Sequence, residues 1–187
     1  MNKVNHNGLN ITGLTTHHLG PVNWHISRGQ CVSLAGESGS GKSLLLRAIA
    51  DLDPHGGEFS LDGQKAWSMA GHQWRRRVGL MPAEPAWWSD LVGDHIPVDA
   101  LPLLVELGLS EASLSWTVSR CSTGERQRLA LVRLLHNNPE VLLLDEPTAA
   151  LDAQSVARVE SLLHSYIQTH NAVAIWVSHD PAQRQRI

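Results

Sequence analysis

Phenylalanine and tyrosine are almost missing from this chain: each occurs once in 187 residues. Cysteine occurs twice, at Cys31 and Cys121, too few for a disulfide framework and without metal-site spacing. No stretch approaches the roughly 18–20 apolar residues that span a bilayer. The opening MNKVNHNGLNITGL lacks the apolar run of a secretory leader. Positive charge is not in excess: 15 Lys and Arg stand against 18 Asp and Glu, a net charge of −3. That excludes a binder whose affinity rests on neutralising the phosphates of nucleic acid. Internal repeats and low-complexity linkers are absent as well. Together these absences place the chain in a reduced, cytoplasmic setting.

What is present is ordinary for a folded protein. Hydrophobic residues make up 42% and charged residues 18%, which argues for a globular chain and against a disordered one. At about 150 residues per domain, the length predicts one domain over 1–187 with a sizeable core. Seven Trp and eleven His are many. The histidines show no ligand spacing beyond the His17-His18 pair, so no metal site is read from them.

The pattern along the chain predicts alternating strands and helices. Residues 30–35 (QCVSLA) read as a short buried strand that runs into a glycine-rich stretch, and 43–52 as a helix. Short strands are predicted at 58–61 and 77–81. From Pro97 to Leu114, Leu101, Leu104, Val105 and Leu109 recur at helical spacing, and 124–136 reads as another helix. Residues 141–144 form a continuous apolar run closed by Asp145, as a central parallel strand requires. A helical repeat from Val156 to Ile167 and a last apolar strand at 172–177 complete a βαβ unit. The class is α/β, with helices expected on both faces of a mostly parallel sheet.

Gly36–Ser43 reads GESGSGKS and matches G-x-x-x-x-G-K-[ST] in full. Gly36, Gly39 and Gly41 let the backbone curl, so that the N–H groups of the loop, with Glu37, Ser38 and Ser40 between the glycines, face phosphate oxygens. The helix that follows adds its positive end. Lys42 reaches the outer phosphates as a point charge, and Ser43 offers a hydroxyl to Mg²⁺. The loop follows a predicted strand and opens a predicted helix, the context the motif needs. It predicts binding of a nucleoside triphosphate. Further on, VLLLDE delivers Asp145 and Glu146 to the carboxyl end of a buried strand, where ligands of open α/β sheets bind. Asp145 is placed to orient a Mg²⁺ shell and Glu146 to act as general base on water.

Between and after these motifs the chain resembles the ATP-binding-cassette (ABC) ATPases. CSTGE at 121–125, followed by RQRLALVRLL, is similar to the family's signature loop and its helix. PTAALD at 147–152 resembles the D-loop, and VSHD at 177–180 the switch-histidine motif. The residues agree on their own terms: Ser122 and Glu125 form a capping box, and a capped helix start beside Gly124 suits an anion. The resemblance implies a P-loop NTPase of ABC type. A RecA-like core would cover about 1–86 and 121–187, with a small helical subdomain at about 87–120. It implies ATP and Mg²⁺ as ligands and ATP hydrolysis as the reaction. It also implies a head-to-tail dimer, of two copies or with a paralogous ABC subunit. Each composite site would take Lys42, Ser43, Asp145, Glu146 and His179 from one chain and Ser122 and Gly124 from the other. His179 would bond the γ-phosphate, and Asp152 would bridge to the partner.

The resemblance further implies a separate transmembrane permease subunit and a place on the cytoplasmic face of the inner (plasma) membrane. One or both of Trp87 and Trp88 would line the groove that receives that subunit. Two other classes stay open at this point: a soluble ABC-type ATPase of DNA repair or translation, and a P-loop small-molecule kinase. The kinase would leave CSTGE and His179 unexplained. The match departs from the family at Ala83, where a glutamine is expected, with Glu84 beside it, and at Cys121 and Thr123 in the signature. The adenine neighbour is expected at His17 or His18. After His179 only eight residues remain, which is short for the family and leaves either a minimal cassette or a shortened end.

Overall fold

The computed structural model describes residues 7–17 and 19–187; His18 lies outside the described residues. The strands, in chain order, are β1 (Gly8–Thr15), β2 (Val22–Ser27), β3 (Cys31–Leu34), β4 (Gly56–Leu61), β5 (Gln64–Lys65), β6 (Val78–Met81), β7 (Val141–Asp145) and β8 (Val173–Val177). The helices are α1 (Lys42–Ile49), α2 (Gly71–Arg77), α3 (Leu101–Glu106), α4 (Thr123–His136), α5 (Ala153–His170) and α6 (Pro181–Arg184). The strands form two sheets. One is antiparallel in the order β2-β1-β4-β5, and the other is parallel in the order β3-β8-β7-β6.

The parallel sheet is the predicted P-loop α/β core. All five residues of β7 and all five of β8 are buried, so these two apolar runs have no solvated face and lie centrally. Their side chains alternate between two clusters. Leu142, Leu144, Ala174 and Trp176 pack with Leu129 and Val132 of α4 and Val159 and Leu163 of α5. Val141, Leu143, Val173, Ile175 and Val177 pack with Leu45, Leu46 and Ile49 of α1. This second cluster also contains Leu9, Ile11, Ile26, Phe59 and Leu61 from the antiparallel sheet. The expectation that helices cover both faces is therefore corrected: one face is shared between α1 and a second sheet. Each fully buried Leu, Ile or Val contributes about 1.5–3 kcal/mol, so both faces are needed to hold the core strands.

Of the antiparallel sheet only the strand at 58–61, within β4, was read from the sequence. Its first strand carries Leu9, Ile11 and Leu14 inward, and the register shifts between Ile11 and Leu14. Gly13, at φ 62, takes the irregular position.

Two helix expectations also change. The helix from 43 ends at Ile49 rather than at Leu52, because Asp51 turns left-handed at φ 55. The helix expected over 97–114 breaks into a 3₁₀ turn at Val98–Ala100, the six residues of α3, and a 3₁₀ stretch at Glu111–Ser115. Pro102 sits in the first turn of α3 and Gly108 follows at φ 72. These breakers override the spacing of the leucines. A bridge between Leu91 and Thr117 closes the segment on itself.

At the amino ends of the parallel strands the two sheets are tied by charge. Arg28, Glu140 and Arg77 stand shortly before β3, β7 and β6, and Asp62 follows β4. Arg28 pairs with both Asp62 and Glu140, and Arg77 Nε lies 2.5 Å from Glu140 Oε1. The Arg77 and Arg28 guanidiniums hold the Glu140 carboxyl below the usual carboxylate range. Arg28 does the same to Asp62.

Candidate functional site

The other end of the parallel sheet carries the candidate site. In the registers of β3, β8 and β7, Leu34 pairs with Val177 and Val177 with Asp145. These three residues form one row across three parallel strands. Neighbouring strands lie about 4.8 Å apart, so Leu34 and Asp145 are separated by about 10 Å. Just past this row leave the phosphate loop, the Ser178-His179 turn and Glu146.

The loop takes the curl its glycines allow. Gly39 and Gly41 sit at φ 79 and 90, where a side chain would be strained. Gly41 is the N-cap of α1, and no side chain caps that end. The first amides of α1 are thus left to a ligand. Ser40 N–H donates to the Glu37 carbonyl at 3.2 Å. Lys42 Nζ donates to the carbonyls of Gly36 (2.9 Å) and Glu37 (2.8 Å), which draws its charge over the loop. Glu37, Ser38 and Ser43 are exposed. Beside the loop lies an apolar cavity of about 440 Å³, lined by Leu19, Val22, Trp24, Leu34, Gly36 and Lys42. Trp24 is the aromatic ring lining that cavity, and His17 is exposed.

Glu146 departs from β7 in a left-handed backbone, φ 51, and its N–H donates to the Val177 carbonyl at 3.2 Å. Its Oε1 lies 3.0 Å from His179 Nε2. The two bound a cavity of about 370 Å³ that also meets Thr148, Ser178, Asp180 and Gln183. Asp145, at the strand end, is 6% exposed. Ser43 and Asp145 are hard oxygen donors, the kind Mg²⁺ accepts while keeping waters and phosphate oxygens in its shell. Among the described residues no group of three His, Cys, Asp or Glu is arranged to hold an ion alone. The set present fits a cation that arrives with a nucleotide.

The signature residues start α4. Ser122 is its N-cap in a complete capping box. Glu125 N–H donates to Ser122 Oγ at 3.2 Å, and Ser122 N–H donates to Glu125 Oε2 at 2.8 Å. The Ser122 N–H and hydroxyl hold the Glu125 carboxyl below its usual range. A Cβ on Gly124 would lie 2.9 Å from the Ala150 carbonyl, so only glycine lets α4 pack this close to the turn after Glu146. Asp152 caps α5: its carboxylate accepts from Ser155 N–H at 2.9 Å and Ser155 Oγ at 3.0 Å.

Two residues of this site were missed in the sequence. Gln127, 4% exposed, donates from Nε2 to the Glu146 carbonyl at 2.6 Å and accepts the Ala150 N–H at 3.3 Å. Gln183, 3% exposed, donates to Thr148 Oγ1 and to Glu160 Oε1, both at 2.9 Å. A glutamine on a helix carries no motif of its own, so only the fold reveals either one.

Ala83 and Glu84 are exposed beyond β6. Trp87 and Trp88 share two neighbours. The Arg133 guanidinium lies 4.7 Å from one ring centre and 4.9 Å from the other, and the His95 ring meets both edgewise. Trp87 packs on the core, while Trp88 is 71% exposed. Trp88 lines a cavity of about 500 Å³ together with His72, Arg75, Arg76 and Arg133.

A loop of this kind between a parallel strand, here the half-buried edge strand β3, and a helix, with a carboxylate pair at the same end of the sheet, defines a P-loop nucleotide-binding protein. The sequence profile described as "ABC transporter" matches residues 19–149. Protein STAR1 of Oryza sativa subsp. japonica is 37% identical over 89% of this chain and 52% of its own length. The probable iron export ATP-binding protein FetA of Escherichia coli K12 is 31% identical over 87% of this chain and 78% of its own. Among solved structures, the ATP-binding cassette MJ0796, a dimer in a post-hydrolysis state with ADP and Pi, superposes with a TM-score of 0.81. That similarity covers 95% of this chain and 90% of that one at 24% identity. The chain belongs to the ABC transporter family, and its fold is that of an ABC-type ATPase cassette. It spans about half the length of the rice relative.

Proposed function

We propose that this chain binds Mg-ATP on the Gly36–Ser43 loop and hydrolyses it to drive a separate membrane transport subunit. The observation that carries this reading is the single register row from which the loop, Glu146 and His179 emerge, with Glu146 and His179 in contact. The loop amides and Lys42 hold the β- and γ-phosphates. Glu146 accepts a proton from water as the water oxygen bonds to the γ-phosphorus. The bond to the β-phosphate oxygen breaks, and ADP leaves with its electron pair. His179 orients that water and the γ-phosphate. Mg²⁺, held by Ser43 and Asp145, neutralises charge on the phosphates when bound. The cavity at Trp24 receives the base.

In this reading two cassettes, identical or paralogous, pair head to tail; that MJ0796 is a dimer supports pairing of such cassettes. Ser122 and Gly124 then face the partner's γ-phosphate, and Asp152 lies at the interface. Residues 1–86 and 121–187 act as the RecA-like core and 87–120 as a reduced helical subdomain. The membrane subunit docks at Pro82–Trp88, where Trp88 rims an open basic cavity. Among the described residues no helix is long and apolar enough to cross a membrane. The cassette would thus work peripherally, on the cytoplasmic face of the inner membrane. Family membership removes the small-molecule kinase, and the relative named for iron export favours transport over DNA repair or translation.

The test is the light-scattering mass of Glu146→Gln with and without Mg-ATP. The substitution keeps shape and removes the base, so the mass is expected to double only with ATP. A mass that stays monomeric while ATP binds overturns self-pairing and leaves a paralogous partner.

A further inference from the structure

We propose that Gln127 is a positioning residue for hydrolysis: its buried amide clamps both ends of the turn that carries Glu146. The proposal rests on the reading of Glu146 as general base. Both polar atoms of the side chain are spent on that turn. Nε2–H donates to the Glu146 carbonyl and Oε1 accepts the Ala150 N–H. Between them the chain makes its own short turn, Ala149 N–H donating to the same Glu146 carbonyl at 3.2 Å. Glu146 holds a left-handed backbone at φ 51. A non-glycine residue stays in that region only where its surroundings over-determine it. From the strand side the Val177 carbonyl fixes the Glu146 N–H. From the helix side Gln127 fixes the Glu146 carbonyl. The peptide units on either side of the Glu146 Cα are thus both pinned, and the side chain is aimed at His179.

The clamp also joins two functions in one rigid piece. Gln127 belongs to α4, whose N-cap is Ser122 and whose Gly124 packs against Ala150. In the proposed dimer the start of α4 meets the nucleotide of the opposite site. Contact with one ATP is therefore transmitted, through one turn and a half of helix and one amide, to the base acting on the other ATP. Nothing between Ser122 and Glu146 along this route is a loop free to absorb the displacement.

The experiment uses the full chain with Gln127→Met and Gln127→Glu, alone and combined with Glu146→Gln. Methionine keeps length and burial and removes both hydrogen bonds. Glutamate keeps the acceptor for Ala150 and loses the donor to Glu146. Both single variants are expected to lower kcat about 10- to 100-fold, the cost of misplacing a reacting group by a fraction of an ångström to an ångström. The KM for ATP stays within about twofold, because the phosphate loop is untouched. In the Glu146→Gln background, Gln127→Met should lower the residual rate no further, since a clamp has no effect without the base it aims. A merely structural glutamine would weaken nucleotide binding and kcat together and would add its full effect to Glu146→Gln. Either result, or a wild-type kcat in both variants, overturns the proposal. If Glu146→Gln alone leaves kcat unchanged, the base assignment fails instead, and the clamp falls with it. Thermal unfolding of each variant identifies any loss caused by misfolding, and Gln127→Glu serves where Gln127→Met does not fold.

Discussion

Lys42 is anchored to carbonyls five and six residues away, within its own loop. Glu146 is placed by an amide 19 residues before it, and Thr148, two residues on, by an amide 35 residues after it. The phosphate loop is thus a self-contained object, largely exposed, whose shape follows from local backbone chemistry. The carboxylate turn has no such autonomy. It is shaped by α4 on one side, β8 and His179 on the other, and α6 beneath. In the proposed function the first half would grip the ligand with groups that every such loop carries. The second half would perform a step whose geometry depends on the packing of the whole core.

If that contrast is right, damage to the loop should abolish binding without loosening the fold, and damage to the turn should do the reverse. Lys42→Ala is expected to reduce ATP affinity or turnover about 100-fold or more. Its thermal midpoint should stay near that of the wild type, because the Lys42 ammonium hydrogen-bonds to carbonyls of its own loop; calorimetry beside nucleotide titration checks both halves. Glu146→Gln should lower kcat about 10²- to 10⁴-fold with ATP binding kept, seen in single-turnover assays. Gly124→Ala forces a methyl against the Ala150 carbonyl. It should cost about 1–3 kcal/mol in urea unfolding and slow hydrolysis as well. Thr148→Val removes the hydroxyl that Gln183 donates to. A loss of about 1 kcal/mol is expected, with a smaller fall in kcat than Gly124→Ala gives.

The last prediction concerns the far end of the sheet. Glu140 and Asp62 are held below their usual range by the arginines beside them, so the native state binds their protons later than the unfolded chain does. Their contribution is full above the ordinary carboxylate range and is lost as the pH falls through the depressed values, from about pH 5 downward. Glu140 is more than a third exposed, so screening keeps its share to about 1 kcal/mol. Glu140→Gln should flatten the acid limb of stability against pH by that amount. An unchanged limb would mean that solvent already weakens this pairing to nothing.

The same contrast explains what could be read beforehand. The loop, β7 and β8 were legible because a glycine pattern or a continuous apolar run specifies them locally. Ser122 was legible as a cap because its partner Glu125 is three residues away. The strand at 58–61 was read, but its partner β1 escaped notice because the irregularity between Ile11 and Leu14 breaks the two-residue period of that strand. The helix expected over 97–114 followed leucine spacing and gave too little weight to Pro102 and Gly108. Gln127 and Gln183 were invisible for a different reason. Their importance lies in which carbonyl or hydroxyl the fold places against them, and a residue's type carries no record of that.

The Arg28–Asp62–Glu140–Arg77 network has a mechanical consequence. It rivets the two sheets together at the amino ends of β3, β6 and β7, while the phosphate loop at the carboxyl end of β3 is exposed and makes its hydrogen bonds within itself. Such a body behaves like a hand-held tool with a stiff grip and a working tip. Slow amide exchange should concentrate around Glu140 and fast exchange around Gly36–Gly41. Motion driven by a nucleotide would then be spent at the tip, where a neighbouring subunit can feel it, rather than dissipated through the grip.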